Sequence, residues 1–264
     1  SISEKYQLKQ FIQKRLDGTS QIFLKSGQFK NSELNSLKID SSKRNIFLFS
    51  NIYWDVGLSA YDSLYKGVVP WVLDTIEILK ECDNCHLYIK PHPAEFFDTS
   101  ISEKGVEDFI RKKFPTLPDN VSIISPELKI KPYDLFPFID VGLIYNGTLA
   151  LEMLWSDIPV IGVSLSPCDH LNSISTPETR NDYMELLLGH TKVAKVNTNE
   201  IELFLYFYFI KSLIPWTLTE RAFNYPFKEY DFQSIDELKP GNDKYLDHLC
   251  DCILYPDLTV VENW

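Results

Sequence analysis

The sequence predicts an α/β fold built on a doubly wound parallel sheet, and three observations carry that prediction. Short apolar runs with sharp polar borders recur along the chain, as expected of strands buried on both faces. Segments with helical periodicity separate them, so the strands run parallel and are joined by crossover helices. Polar and ionisable residues gather just after each apolar run, at the carboxyl ends where open parallel sheets bind their ligands.

The elements follow in order. Residues 1 to 17 read as an amphipathic helix, with Ile2, Tyr6, Phe11, Ile12 and Leu16 interleaved with Lys and Gln. The polar stretch from Lys25 to Arg44 reads as a connector. Strands are expected over Asn45 to Ser50, His86 to Lys90, Val121 to Ile124, Val141 to Tyr145 and Pro159 to Val163. Helices are expected between them: Val68 to Cys82, with Trp71, Val72, Ile76 and Leu79 on one face; Val106 to Phe114; and Leu149 to Trp155. Beyond the fifth strand, Ser175 and Glu178 form a capping box that opens a helix running to Leu188, where Gly189 stops it. Asn199 to Leu213 is nearly all apolar and aromatic and reads as a buried helix with an extensive packing partner. Lys244 to Leu254 reads as the last helix. The chain therefore divides into an N-terminal helix and connector (1–44), an α/β core (45–190) and a C-terminal helical segment packing on that core (191–264).

Composition narrows the function. Of 264 residues, 37 are Asp or Glu and 26 are Lys or Arg, a net charge of −11, with no block of basic residues. That balance excludes general binding to a nucleic-acid backbone, so any phosphate must be held by local devices. The N-terminal stretch has scattered charges and no apolar core, unlike a secretory leader. The most apolar stretch, Ile201 to Leu218, is broken by Glu202, Lys211 and Pro215 and is too short to span a bilayer. A cytoplasmic location is expected, with the five cysteines as reduced thiols. Cys82-Asp83-Asn84-Cys85-His86 matches the pattern of haem attachment, but His86 opens an apolar strand, and the match reads as coincidence. The chain opens on Ser1 rather than Met, which reads as a processed or excised product.

The strand ends supply the site candidates. Asp55 closes the first strand's loop as a general base or a helix N-cap. Lys90-Pro91-His92-Pro93 follows the second strand; two prolines stiffen the turn that carries His92, which can donate to a phosphate or protonate a leaving group, and Lys90 adds a cation. Glu95 is open to the same two readings as Asp55. Asn146-Gly147-Thr148 forms a strand-to-helix turn where glycine permits close backbone approach and Thr148 offers a hydroxyl; a plain capped turn is the alternative. Glu152, one turn on, is placed to meet ribose hydroxyls or to complement the helix dipole. Ser164 follows the fifth strand.

These blocks carry a resemblance. Phe49-Ser50-Asn51-Ile52-Tyr53-Trp54-Asp55, then Trp71 through Ile76, then Ile89-Lys90-Pro91-His92-Pro93-Ala94-Glu95, then Tyr145 through Glu152 and Pro159-Val160-Ile161 resemble the capsule polysaccharide biosynthesis family of bacterial glycosyltransferases. The likeness covers roughly Asn45 to Leu188, including His170 to Tyr183, and the order of the blocks is more specific than any one of them. The family is related to the capsular Kdo transferases, in which a His-Pro motif and a hydroxyl-bearing turn hold the phosphate of a CMP-sugar. Their Gln-x-x-x-Asp block is here Asn51-x-x-x-Asp55, which leaves the donor sugar open. The resemblance implies one Rossmann-like, donor-binding half of a GT-B glycosyltransferase with helical appendages. It implies a nucleotide-sugar donor, a glycan or glycolipid acceptor, no metal ion and no further cofactor. On this reading Asp55, His92 and Glu95 are catalytic, while Lys90, His92, Asn146, Gly147, Thr148, Glu152 and Ser164 bind the donor. Peripheral association with the inner face of the cytoplasmic membrane or with a synthesis complex is also implied. A CDP-alcohol phosphotransferase, a sugar-nucleotide epimerase and a non-catalytic nucleotide-binding module are the alternatives on the same scaffold.

Overall fold

The apolar runs become strands β1 (Arg44–Phe49), β2 (Cys85–Lys90), β3 (Val121–Ile123), β4 (Val141–Ile144) and β5 (Val160–Gly162), joined by a short edge strand, β6 (Ile174–Ser175). The computed structural model describes residues 2–17, 33–53, 64–93, 95, 105–125, 128, 130–164, 168–213 and 234–255. Helices are α1 (Ile2–Leu16), α2 (Val68–Leu79), α3 (Val106–Lys113), α4 (Pro132–Leu135), α5 (Leu149–Trp155), α6 (Arg180–Leu188), α7 (Thr198–Tyr206) and α8 (Lys244–Leu254). The strands form one six-stranded sheet in the order β3-β2-β1-β4-β5-β6, with every pairing parallel. β1 lies at the centre, with Phe49 in register with Lys90 on one side and with Ile144 on the other.

The two-residue period of the strands sorts side chains onto two faces. Ile46, Leu48, Ile89 and Leu143 join the buried core made by α2, α3 and α6, in which Trp71 and Tyr183 are fully enclosed. The Trp71 indole donates to the Tyr183 hydroxyl at 2.8 Å, and that hydroxyl also lies 2.8 Å from Thr75 Oγ1. Trp71→Ala would therefore empty a large volume and strip Tyr183 of a partner, a loss of about 3–5 kcal/mol. On the opposite face Gly142 leaves room for Met153 of α5, since a Cβ there would collide with its sulfur. Phe47 and Tyr88 stack on this second face with ring centroids 4.6 Å apart.

Three expectations are corrected. The α6 helix is capped by Thr179 and Asp182, which exchange hydrogen bonds, rather than by Ser175 and Glu178. Ser175 is instead spent on β6, a strand too short to announce itself as an apolar run. Gly189 does end α6, in the left-handed region at φ 77°. The apolar stretch after Asn199 is only half buried: Ile201, Leu205 and Phe209 form an i, i+4 stripe that is enclosed, while Leu203 is 73% exposed and Phe207 55%. An apolar sequence pattern wider than the face that finds a partner leaves such residues in solvent. Finally, Cys82 and Cys85 are paired across the turn from α2 to β2, their Cα atoms 5.4 Å apart, while Cys250 and Cys252 are free thiols. The turn itself, closed by the Cys85 N–H on the Cys82 carbonyl, brings the two together.

The chain forms two compact units, Ser1–Leu203 and Phe204–Trp264. The sheet and its flanking helices make the first. The second holds the end of α7, a π-helical turn at Phe207–Lys211 and α8, whose N-terminus is capped by Asp243. Among the described residues no helix is long and apolar enough to cross a membrane.

Candidate functional site

A parallel sheet ordered β3-β2-β1-β4-β5-β6 reverses its winding between β1 and β4, and the loops leaving those two strands diverge there into a crevice. Asn51, two residues beyond β1, spans its base. Its Nδ2 donates to the Asn146 carbonyl at 2.7 Å and its Oδ1 accepts from the Asn146 N–H at 3.2 Å. A side-chain amide thus continues the β1–β4 ladder past the end of the strands and fixes where the next residues, Gly147 and Thr148, begin. Gly147 takes φ +130°, a region open to glycine and strained for other residues.

Across β1, the Lys90-Pro91-His92 turn is tied to the same strand end by Ser50. The Ser50 N–H donates to the Lys90 carbonyl and its hydroxyl accepts from the His92 N–H, both at 3.1 Å. The turn is closed by the Glu95 N–H on the His92 carbonyl at 3.0 Å. The proline-stiffened turn is therefore rigid for a second reason, since its backbone is anchored to the central strand. Lys90 alternates with Ile89, so its side chain lies on the face of Tyr88 and α5. It is 6% exposed. Burial pulls its ammonium down to a pKa of about 8, against the weaker attraction of Asp134. Among the described residues it has no hydrogen-bond or ion-pair partner, so its charge, weakened by burial, is open to an anion.

Glu95 is half-buried and takes up the capping role open to it. Its Oε2 accepts the Val106 N–H of α3 at 2.9 Å, and the backbone of Tyr53 also donates to this carboxylate. Burial outweighs both and raises its pKa to about 7, while Oε1 is enclosed with no partner among the described residues. Glu95 thereby links the loop after β2 to the loop after β1, whose next residues lead to Asp55. Asp55 itself lies outside the described residues. Ser164, just past β5, is 7% exposed, and its hydroxyl has no partner among the described residues.

Glu152 is held in a buried ion pair. It is 2% exposed on the buried side of α5, with Oε1 bound by Arg15 (Nε at 2.7 Å, and Nη2 in closer contact) and Oε2 accepting from the Tyr133 hydroxyl at 3.1 Å. Burial raises its pKa, and the Arg15 charge only partly opposes this. Thr148 does not cap its own helix; its hydroxyl faces Arg15 Nη2 at 3.4 Å. Across the core, the Tyr145 hydroxyl donates to the Tyr65 carbonyl at 2.7 Å and accepts the Gly67 N–H at 3.1 Å, fixing the start of α2 beside the end of β4. His170 is exposed beside Asp169.

The structure thus gathers Lys90, His92, Asn146, Gly147, Thr148 and Ser164 at one sheet edge, and places Glu95 as a tie between loops and Glu152 in a buried ion pair. Sequence reasoning missed Ser50, Arg15, Tyr133 and Tyr145. Ser50 sat inside a predicted strand, and Arg15 looked like one of several surface cations of an amphipathic helix. Among the described residues no group of three or more His, Cys, Asp and Glu is assembled that could hold a metal ion.

No protein-family model matches the chain, and no curated protein does. Solved structures do. KpsC of Thermosulfurimonas dismutans, a beta Kdo 2,4 transferase, aligns with a TM-score of 0.52 at 14% identity, over 78% of this chain and 55% of that one. A KpsC beta Kdo 2,7 transferase from the same organism gives 0.43 at 14% identity over 78% and 54%, and sucrose-phosphate synthase of Thermosynechococcus elongatus gives 0.42 at 12% over 65% and 43%. The chain spans about half the length of both KpsC structures. At this identity the first alignment speaks to fold alone, and it agrees with the parallel sheet and its winding: this chain has a Rossmann-like α/β fold, similar to that of the KpsC beta Kdo 2,4 transferase structure.

Proposed function

We propose that this chain is the donor-binding half of a GT-B glycosyltransferase that moves a sugar from a nucleotide-sugar, of the CMP-linked Kdo type, onto a capsular or lipopolysaccharide glycan. The observation that carries the reading is the winding reversal between β1 and β4, flanked on one side by a buried Lys90 that has no partner among the described residues and on the other by the Asn51-anchored Gly147 turn. Fold likeness to a Kdo transferase supports it. On this reading Lys90 and the N–H groups of Gly147 and Thr148 hold the donor phosphate, with Ser164 as a further donor. His92, on its anchored turn, gives a hydrogen bond or a proton to the departing phosphate. The bond from the anomeric carbon to the phosphate oxygen breaks, and the nucleotide leaves with that electron pair. The acceptor hydroxyl oxygen bonds to the same carbon, and its proton passes to Asp55. The acceptor is held by a surface outside this sheet, and the reaction takes place without a metal ion at the cytoplasmic side of the membrane.

The test is nucleotide release by the full-length protein given CMP-Kdo, CDP-glycerol or UDP-glucose, with wild type and His92→Ala side by side. CMP release that falls by about 100-fold or more in the variant is expected. Consumption of CDP-glycerol would replace the reading with a phosphotransferase, and release from none of the three would leave a nucleotide-binding module.

A further inference from the structure

The N-terminal helix precedes the sheet by a long connector, yet its last turn reaches the ligand edge. Arg15, 2% exposed, inserts from α1 onto the start of α5 and meets two residues at once: Glu152 Oε1 of the helix, through Nε at 2.7 Å and through Nη2, and Oγ1 of Thr148 just before it, at 3.4 Å. Tyr133 of α4 closes the other side of the same carboxylate at 3.1 Å. The end of α1 is held a second time, by Lys131 Nζ on the Asp17 carbonyl at 3.4 Å, and its beginning by Lys5 on Glu202 at 2.6 Å. Leu8 and Ile12 bury the face between.

Two features separate this cluster from ordinary packing. An ion pair with side chains 3% and 2% exposed is a poor source of stability, because desolvating both charges offsets most of their attraction. What such a pair supplies is a defined place for the groups it holds. Here those groups are Glu152 and Thr148, and Thr148 directly follows the Gly147 turn. The turn is therefore pinned from two directions, by Asn51 beneath Asn146 and by Arg15 beyond Thr148.

We infer that Arg15 is a positioning residue for the Asn146–Thr148 turn, so that the docked α1 helix is a working part of the ligand site rather than an appendage. The inference rests on the proposed function only for what the turn binds; the positioning itself has a readout that needs no ligand. Arg15→Met alone strands the Glu152 carboxylate and is prone to misfold. The informative protein is Arg15→Met combined with Glu152→Leu, which removes both charges at similar volume and leaves neither unpaired. Backbone hydrogen exchange, measured without ligand, should rise about tenfold or more at residues 147–151 of the double variant while Ile46 to Leu48 of β1 stay as in wild type. CMP, used as the probe, should bind about tenfold more weakly, and Arg15→Lys, which keeps one charge contact, should fall between. Unchanged exchange at residues 147–151, or an equal rise throughout the sheet, overturns the inference, because the pair then only holds the fold. A selective rise together with no CMP binding by wild type leaves the positioning role in place and counts against the proposed donor instead.

Discussion

Lys90→Met separates stability from binding at one atom. In the folded protein the Lys90 ammonium falls from its ordinary 10.5 to about 8 because it is buried. At about 1.36 kcal/mol per pH unit, holding the charge in place costs about 3 kcal/mol at pH 7. Methionine has a similar length and no charge, so the unliganded variant should gain about 1–3 kcal/mol once repacking is allowed for, a rise in Tm of about 2–4 °C for each kcal/mol. The sign follows from the direction of the shift. A cation with a depressed folded pKa carries its full cost below pH 8 and sheds it as pH rises toward 10.5, so the advantage of the variant should shrink across that window. Binding should move the other way. A charge-assisted bond from an ammonium to a phosphate is worth about 1.5–3 kcal/mol, so CMP should bind about 10- to 150-fold more weakly. Wild-type affinity should also decline as pH rises through about 8, where the variant's stays level. Thermal unfolding at pH 7 and pH 10 and calorimetric titration with CMP read both effects. A variant that is less stable at pH 7 would show that Lys90 is not an unpaired buried charge, and unchanged CMP affinity would remove it from the phosphate site.

Other expectations concern the two loops. Asn51→Leu removes both bonds to Asn146 and should cost about 1–3 kcal/mol of unfolding free energy, with weakened CMP binding; equal stability in chemical denaturation would show that the ladder extension is incidental. Gly147→Ala has space for its methyl, the nearest side-chain atom being Asn51 Nδ2 at 3.8 Å, but φ +130° imposes strain of about 1–3 kcal/mol. The variant should fold, and a crystal structure should show a displaced turn. Glu95 has a folded pKa raised from 4.5 to about 7, so its native state keeps a proton that the unfolded chain gives up. Wild type should therefore lose stability between pH 4.5 and 7 relative to Glu95→Gln and level off above, as followed by urea unfolding at stepped pH.

Much of this was legible in the residues. The strands announced themselves because a parallel sheet covered on both faces demands uninterrupted apolar runs, and Leu149 to Trp155 and Lys244 to Leu254 are helices over the expected spans. The ligand edge was readable because chain direction alone puts Lys90, His92, Asn146 and Ser164 at carboxyl ends. What distinguishes binding groups from supporting ones was not readable, since it depends on partners far away in sequence. For Glu152 the sequence offers a ribose hydroxyl or the helix dipole as partners, and neither points to Arg15, 137 positions earlier, which binds its carboxylate. Asn51 looked like a departure from a catalytic block, and its work is to hold Asn146 across 95 positions. β6 and the true cap of α6 escaped because a two-residue strand has no period to detect.

The most direct test of the account is a crystal structure of this protein with CMP bound. It predicts the phosphate between Lys90 Nζ and the N–H groups of Gly147 and Thr148, with His92 in reach of it and Arg15 still on Glu152. A nucleotide bound away from the β1–β4 crevice, or a phosphate in the crevice that touches neither Lys90 nor the Gly147 turn, would contradict it.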